Sequence, residues 1–228
     1  MVRTIMHCVA VAALTLAASI ATAQESAPDA LLKSVTAEVT TAVKQNRGHL
    51  NAVRTNQLNE LIERKVLPLF DFGRMTQIAL ARNWSIATPE QRIVLTSEFS
   101  ALLVRTYSTA LRNYRDEQID FKPLEIAPGA TTATVKSVVK QNGAGRVTID
   151  YQLEKTPVGW KVYEICMDDV NVIANYRETF ASKVRNAGID GLIKALAEKN
   201  TNYSGVSAQR ASSGEDRVQL SGTAVIQP

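Results

Sequence analysis

Few side chains in this 228-residue chain can do covalent or metal chemistry, and they are scattered. There are two histidines, His7 and His49, and two cysteines, Cys8 and Cys166. His49 stands in a polar stretch with Gly48 and Asn51. That is a poor setting for a buried base, so a Ser-His-Asp arrangement finds no anchor. Once the N-terminal segment is set aside, one Cys and one His cannot make a His/Cys zinc site. Gly143-Ala144-Gly145 lacks the third glycine and the following helix of a phosphate cradle. Acid pairs remain. Asp168-Asp169 ends a strand-like run ahead of a helical pattern, and capping is the expected role. Asp150 would serve as a general base in a sheet-and-helix pocket of the isomerase kind. Alternation sets it opposite Ile149 and Tyr151, which read as the core side. The residues themselves therefore point to no catalysis, and the chain reads as a non-enzyme.

The first 23 residues read as an export signal. Arg3 is a short positive n-region, Cys8 to Ile20 is an apolar run of small residues, and Ala21-Thr22-Ala23 is a small-x-small cleavage site. The run is shorter than the ~20 residues a membrane span needs. Cleavage there predicts an exported, soluble mature protein, with Cys166 as its sole cysteine and no intramolecular disulfide. Cys166 is expected as a small buried hydrophobe. Loss of Arg3 leaves 25 basic against 22 acidic residues, a net of +3. The charges are interspersed and no basic run interleaves with aromatics, so no nucleic-acid partner is expected.

The elements that must position any site follow from periodicity. Leu31, Leu32, Val35, Val39 and Val43 predict a helix over about 28–46. Leu58, Leu61, Ile62 and Val66 predict a second, ending near Pro68. Asp71 is the expected cap of a third, holding Phe72, Met75, Ile78 and Ala79. Thr88, Pro89 and Gln91 form the signature of a helix start. Behind it, Leu95, Phe99, Leu102, Leu103, Tyr107 and Leu111 make a wide apolar stripe. Strand patterns follow at 118–126, interrupted by Pro123 and hence an edge, then at 132–141, 146–155 and 160–168. Val147, Ile149, Tyr151 and Leu153 alternate with polar residues. Two more helices hold Ile173, Tyr176, Phe180 and Val184, then Ile189, Leu192, Ile193 and Leu196 after Gly188. From residue 201 the Ser-, Gly- and Thr-rich chain reads as a disordered tail. The expectation is an α+β domain over 24–200: a helical layer on one face of an antiparallel sheet of about four strands.

Four stretches, in order, resemble the MlaC family of toluene-tolerance auxiliary transport proteins. They are Val66-Leu67-Pro68-Leu69-Phe70-Asp71-Phe72 with Met75, Ala79-Leu80 and Trp84; Thr88-Pro89-Glu90-Gln91 with Phe99, Leu102-Leu103 and Arg105-Thr106-Tyr107-Ser108; Gly159-Trp160-Lys161-Val162-Tyr163; and Asn175-Tyr176-Arg177 with Phe180, Gly188-Ile189-Asp190-Gly191-Leu192-Ile193 and Lys199-Asn200. Two departures stand out: Ala81 where a glycine is expected, and Asp169-Val170-Asn171 in place of a Gly-Val-Ser-like turn.

The resemblance implies a twisted sheet under helices with an apolar cavity between them. It implies phospholipid as cargo, no cofactor, and a carrier in the periplasm that maintains outer-membrane lipid asymmetry. The implied partners are an outer-membrane lipoprotein–porin complex and an inner-membrane ABC transporter with a substrate-binding ring. Met75, Ile78, Ala79, Phe99, Leu103, Tyr107, Val147, Ile149, Tyr151, Val162, Tyr176 and Phe180 are the candidate lipid-binding residues. An ordinary core would use the same positions. A non-catalytic envelope adaptor with a filled core is therefore the alternative.

Overall fold

The computed structural model describes residues 27–45, 52–112, 117–141 and 145–213. The expected export signal, His49 and Gly143-Ala144 lie outside those residues. Helix α1 (Pro28–Gln45) opens with Pro28 at a position where no backbone donor is needed. It buries Leu32, Val39 and Val43 along one stripe. Helix α2 (Ala52–Leu61) runs into a π-helical turn at Ile62–Val66 and a 3-10 turn at Leu67–Leu69, which holds Pro68. Val39, Val43, Leu58 and Ile62 close a small satellite core between these helices.

Helix α3 (Phe72–Leu80) is capped as expected: the Asp71 carboxylate accepts the Arg74 N–H at 2.7 Å. It ends at Ala81, whose φ of 49° and ψ of −123° belong to glycine's territory. Helix α4 (Pro89–Arg112) starts with a reciprocal capping box. The Thr88 N–H donates to Gln91 Oε1 at 3.0 Å, and the Gln91 N–H donates to Thr88 Oγ1 at 3.2 Å.

The sheet has five antiparallel strands in sequential order, one more than expected. They are β1 (Gln118–Phe121), β2 (Thr132–Gln141), β3 (Gly145–Thr156), β4 (Gly159–Met167) and β5 (Val170–Asn171). β1 stops at Phe121, short of the expected Ile126: the last bond to β2 is Lys122 N–H to the Lys136 carbonyl at 2.8 Å, directly before Pro123, whose ring holds φ at about −65°, off the strand value. The fifth strand exists because Asp168-Asp169 is a two-residue hairpin turn and not a helix cap. Both residues have positive φ, 45° and 66°, the twist that a tight hairpin requires. Asp168 Oδ1 then accepts the Thr148 N–H at 2.8 Å and the Thr148 hydroxyl at 3.0 Å.

Helix α5 (Tyr176–Ser213) is broken at Gly188 (φ 70°, ψ −176°), which separates the two helical lengths that the periodicity predicts. The helix passes residue 201 and runs to Ser213, so the expected disordered tail begins as helix. Extending a formed helix adds one backbone bond per residue, which makes elongation far easier than nucleation. At the boundary, Asn200 Nδ2 donates to the Glu98 carbonyl at 3.0 Å and to Glu98 Oε2 at 2.7 Å, tying α5 to α4.

α3, α4 and α5 cover one face of the sheet. Ala133, Val135, Ser137 and Val139 of β2 pair with Leu153, Tyr151, Ile149 and Val147 of β3, so all eight share that inner face. The main core joins Val135, Leu153 and Val162 to Met75, Leu80, Leu95, Phe99, Leu102 and Phe180. Each fully buried side chain of this size contributes about 1.5–3 kcal/mol. The outer face is polar, with ion pairs Lys136–Asp150 at 3.0 Å and Lys140–Asp120 at 2.7 Å.

Candidate functional site

The twelve candidate residues fall into three groups. Met75, Ala79, Phe99, Leu103, Val162 and Phe180 are buried inside one continuous packed cluster. Ile78, Tyr107, Tyr151 and Tyr176 are half-buried against it. Val147 and Ile149 are half-buried on the inner sheet face but are not among the residues packed on that cluster.

Aromatic rings fasten the closed part. Phe99 of α4 meets Tyr176 and Phe180 of α5 edge-on, with centroids 5.0 and 5.1 Å away and interplanar angles of 74° and 72°. Such pairs add about 0.5–1.5 kcal/mol beyond the area they bury. Phe121 of β1 stacks on Tyr151 of β3 at 6.5 Å.

The open part lies at one end of the sheet. Ile119 pairs with Val139, Val139 with Val147, and Ile149 with Met167, which makes an apolar row across β1 to β4 on the face that looks at the helices. All five are half-buried. Ile119, Val139 and Met167 are not among the sequence candidates. The signal for them was the same alternation that marked Val147 and Ile149, read on β1, β2 and β4.

Polar groups edge this region. Burial pushes the Tyr107 phenol up to about 12, and the neighbouring Tyr176 and Glu164 push in the same direction. Burial also raises the Tyr151 phenol, against a hydrogen bond with Ser137. Ser137 is itself buried and donates to the Ile149 carbonyl at 3.3 Å. The Cys166 thiol is raised by desolvation and then by Asp150, Asp169 and Glu164, which disfavours the thiolate.

Glu164 on β4 is a buried acid, 4% exposed, that the sequence analysis did not single out. Its carboxylate accepts the N–H groups of Ile165, Ile173 and Ala174 at 2.9, 2.8 and 3.0 Å. The legible signal was its spacing with Trp160 and Val162, which places an acid at a core-facing step of the strand. Arg177 Nε donates to the Ile78 carbonyl at 3.0 Å, so it ties α5 to α3.

Two surface recesses were also found. One of about 450 Å³ lies under the β1–β2 connection, between Leu124, Ile126, Ala130, Ala133 and Tyr163, and contains none of the twelve candidates. The other, about 160 Å³, is bounded by Ile78, Gln152, Tyr163, Glu164, Asn171 and Arg177. Both are open to solvent, and neither lies on the apolar row. Among the described residues no group of His, Cys, Asp and Glu is arranged to hold a metal ion. No described helix is long and apolar enough to cross a membrane.

Comparison with known proteins gives a consistent set of relatives. The sequence profile described as MlaC protein matches residues 33–198. The toluene tolerance protein ttg2D of Pseudomonas putida is 24% identical over 164 residues, 72% of this chain and 75% of that protein. The intermembrane phospholipid transport system binding protein MlaC of Haemophilus influenzae is 20% identical over 177 residues, 76% of this chain and 82% of that protein. Among solved structures, a phospholipid-binding protein from Ralstonia solanacearum, in complex with a phospholipid, superposes with a TM-score of 0.68 at 35% identity. The match covers 78% of this chain and 99% of that one.

Proposed function

We propose, from the premise that this chain belongs to the MlaC family, that it carries a phospholipid through the periplasm and performs no chemistry on it. The observation that carries this reading is the half-buried apolar row Ile119, Val139, Val147, Ile149 and Met167, beside a packed core and facing the helices. The Ralstonia relative, solved with a phospholipid bound, supports the choice of ligand.

The physical need is plain. About thirty methylenes in two acyl chains, at about 0.8 kcal/mol each, cost over 20 kcal/mol to expose to water. A lipid crosses an aqueous gap unaided only very slowly. A carrier offers an apolar surface comparable to a bilayer interior, so exchange at either end is near balance. In this reading the acyl chains lie between the row and the C-terminal half of α4, with Tyr107 and Tyr151 at the border of the packed core. Of the sequence candidates, Val147, Ile149, Tyr107 and Tyr151 then touch lipid, while the six sealed residues hold the two layers in register.

The wider setting belongs to the same proposal. Residues 1–23 direct export and are removed. The carrier exchanges lipid with an outer-membrane lipoprotein–porin complex and an inner-membrane ABC transporter with a substrate-binding ring, and so maintains outer-membrane lipid asymmetry.

The alternative of an adaptor with a filled core draws on the closed packing of Met75, Ala79, Phe99, Leu103, Val162 and Phe180. Native mass spectrometry of the periplasmic protein separates the two. A carrier retains stoichiometric phospholipid and begins at Gln24. A lipid-free protein that takes up none from vesicles supports the adaptor instead.

A further inference from the structure

Strand β1 is an open edge of the sheet: among the described residues it pairs only with β2. The Lys122 N–H donates to the Lys136 carbonyl at 2.8 Å, so Gln118 and Asp120, at the same parity, also turn their backbone groups to β2. The N–H and C=O groups of Ile119 and Phe121 therefore point away from the sheet, and no described segment pairs with them. Unpaired edges of this kind are templates for a further strand. This edge is also where the apolar row stops, at Ile119. On the opposite face Asp120 stands two residues from Gln118, and a hydrogen bond from Lys140 holds its carboxyl below the usual carboxylate range.

Helix α5 carries the chain to that end of the sheet. Its second length runs beside α4 in the same direction: Gln91 donates to Asp190, Asn200 donates to Glu98, and Arg105 donates to the Asn200 carbonyl. α4 ends at Arg112 and β1 begins at Gln118, so the C-terminal end of α4 lies at the end where β1 starts. From Arg105 to Arg112 α4 advances about 10 Å, whereas from Asn200 to Ser213 α5 advances about 20 Å. α5 thus overshoots α4 on the side of the apolar row. Beyond Ser213 come Gly214-Glu215-Asp216 and then Arg217-Val218-Gln219-Leu220-Ser221. Glycine and aspartate suit a turn. The next five residues alternate polar and apolar, the pattern of a strand with one buried face.

We propose that residues 217–221 add to the free edge of β1 as a sixth strand, whose Val218 and Leu220 widen the apolar row on which the acyl chains lie. Entering at the end where β1 begins, the segment runs parallel to it, and the backbone groups of Ile119 and Phe121 gain partners. This alignment sets Val218 beside Ile119 and Leu220 beside Phe121 on the inner face, with Arg217 and Gln219 outside. Arg217 then lies within reach of Asp120, so charge as well as alternation selects this register. The role of the widened row in holding lipid rests on the phospholipid-carrier reading; the strand pairing does not.

Hydrogen exchange on the lipid-free full chain tests the pairing. The amides of Ile119 and Phe121 should exchange slowly in the full chain and fast after deletion of residues 214–228. Fast exchange in both leaves the edge empty and overturns the inference. Slow exchange that survives the deletion assigns the edge to another segment, and protection that fades on dilution assigns it to a second copy; either overturns it too.

Lipid release tests the widened row. The probe is vesicles of equal parts phosphatidylcholine and phosphatidylglycerol with a trace of pyrene-labelled phosphatidylcholine. Labelled lipid should leave Val218→Asp/Leu220→Asp roughly tenfold faster than wild type, the effect of losing about two buried methylenes. Val225→Asp/Ile226→Asp, beyond the sixth strand, should release lipid as wild type does. Equal release from the two double variants, fast or slow, would overturn the role of Val218 and Leu220. Failure of wild type to take up any labelled lipid removes the carrier reading, and deletion-sensitive slow exchange at Ile119 and Phe121 would still support the sixth strand.

Discussion

Ile149 on β3 sits opposite Met167 on β4, on the face of the sheet that looks at the helices, yet both are only half-buried. Two strands nearer the β1 edge, Ile119 and Val139 repeat the arrangement. An apolar face left half open between packed layers is the feature that a bound lipid would complete.

Ile149→Asp should therefore cost little folding stability, because its side chain is not sealed in the core. It should cost most of the lipid load, because a charge replaces an acyl-chain contact. Phe99→Ala should do the opposite kind of damage. Phe99 is fully buried, and its truncation should destabilise the fold by about 3–5 kcal/mol. Denaturant melts paired with phosphorus analysis of the purified variants check both. Equal destabilisation by the two changes would place Ile149 in the core.

Ala81→Gly should stabilise the protein. Ala81 holds φ at 49° and ψ at −123° between α3 and the turn that leads to Trp84. A Cβ makes that conformation costly, and relieving it gains about 1 kcal/mol after the added freedom of glycine in the unfolded chain is subtracted. A rise in melting temperature is the expected result; a fall would mean that the backbone bears no strain there.

Tyr107 should make the fold sensitive to alkali. Its phenol is raised from 10.0 to about 12, first by burial and then by Tyr176 and Glu164. The folded state thus favours the neutral phenol. Its contribution is fully present below pH 10 and is lost as pH rises from about 10 through about 12. With part of the ring open to solvent, the loss amounts to about 1–2 kcal/mol. Tyr107→Phe should flatten that part of the melting-temperature profile, and an unchanged slope would assign it to other tyrosines.

Thr88→Ala should weaken the start of α4 by about 1 kcal/mol, the usual effect of losing a side-chain cap. The loss should extend beyond α4. Gln91, freed from the box, also donates to Asp190 Oδ1 at 2.7 Å and so holds the second length of α5. Hydrogen exchange that rises around both Gln91 and Asp190 is the expected signature; a rise confined to the first turn of α4 would show that the cap acts locally.

The amino-acid sequence by itself determined the elements whose causes are local. The Asp71 cap, the Thr88–Gln91 box and the break at Gly188 all act within a few residues, so spacing reveals them; the strand expected to run to Ile126 did not pass Phe121. Alternation from Val147 to Leu153 likewise assigned the inner face of β3 correctly. Only the tertiary structure decided what covers that face. Val147 and Leu153 carry the same pattern, but Leu153 is sealed under the helices and Val147 is half open. Periodicity reports direction, and burial depends on what comes from far along the chain. The same limit hid Glu164, whose N–H partners Ile173 and Ala174 reach it only after the Asp168-Asp169 turn folds the chain back on β4. It also made Asp168-Asp169 read as a cap. An aspartate suits a helix start and a left-handed turn alike, and the pairing of Met167 with Val170 is what chooses between them.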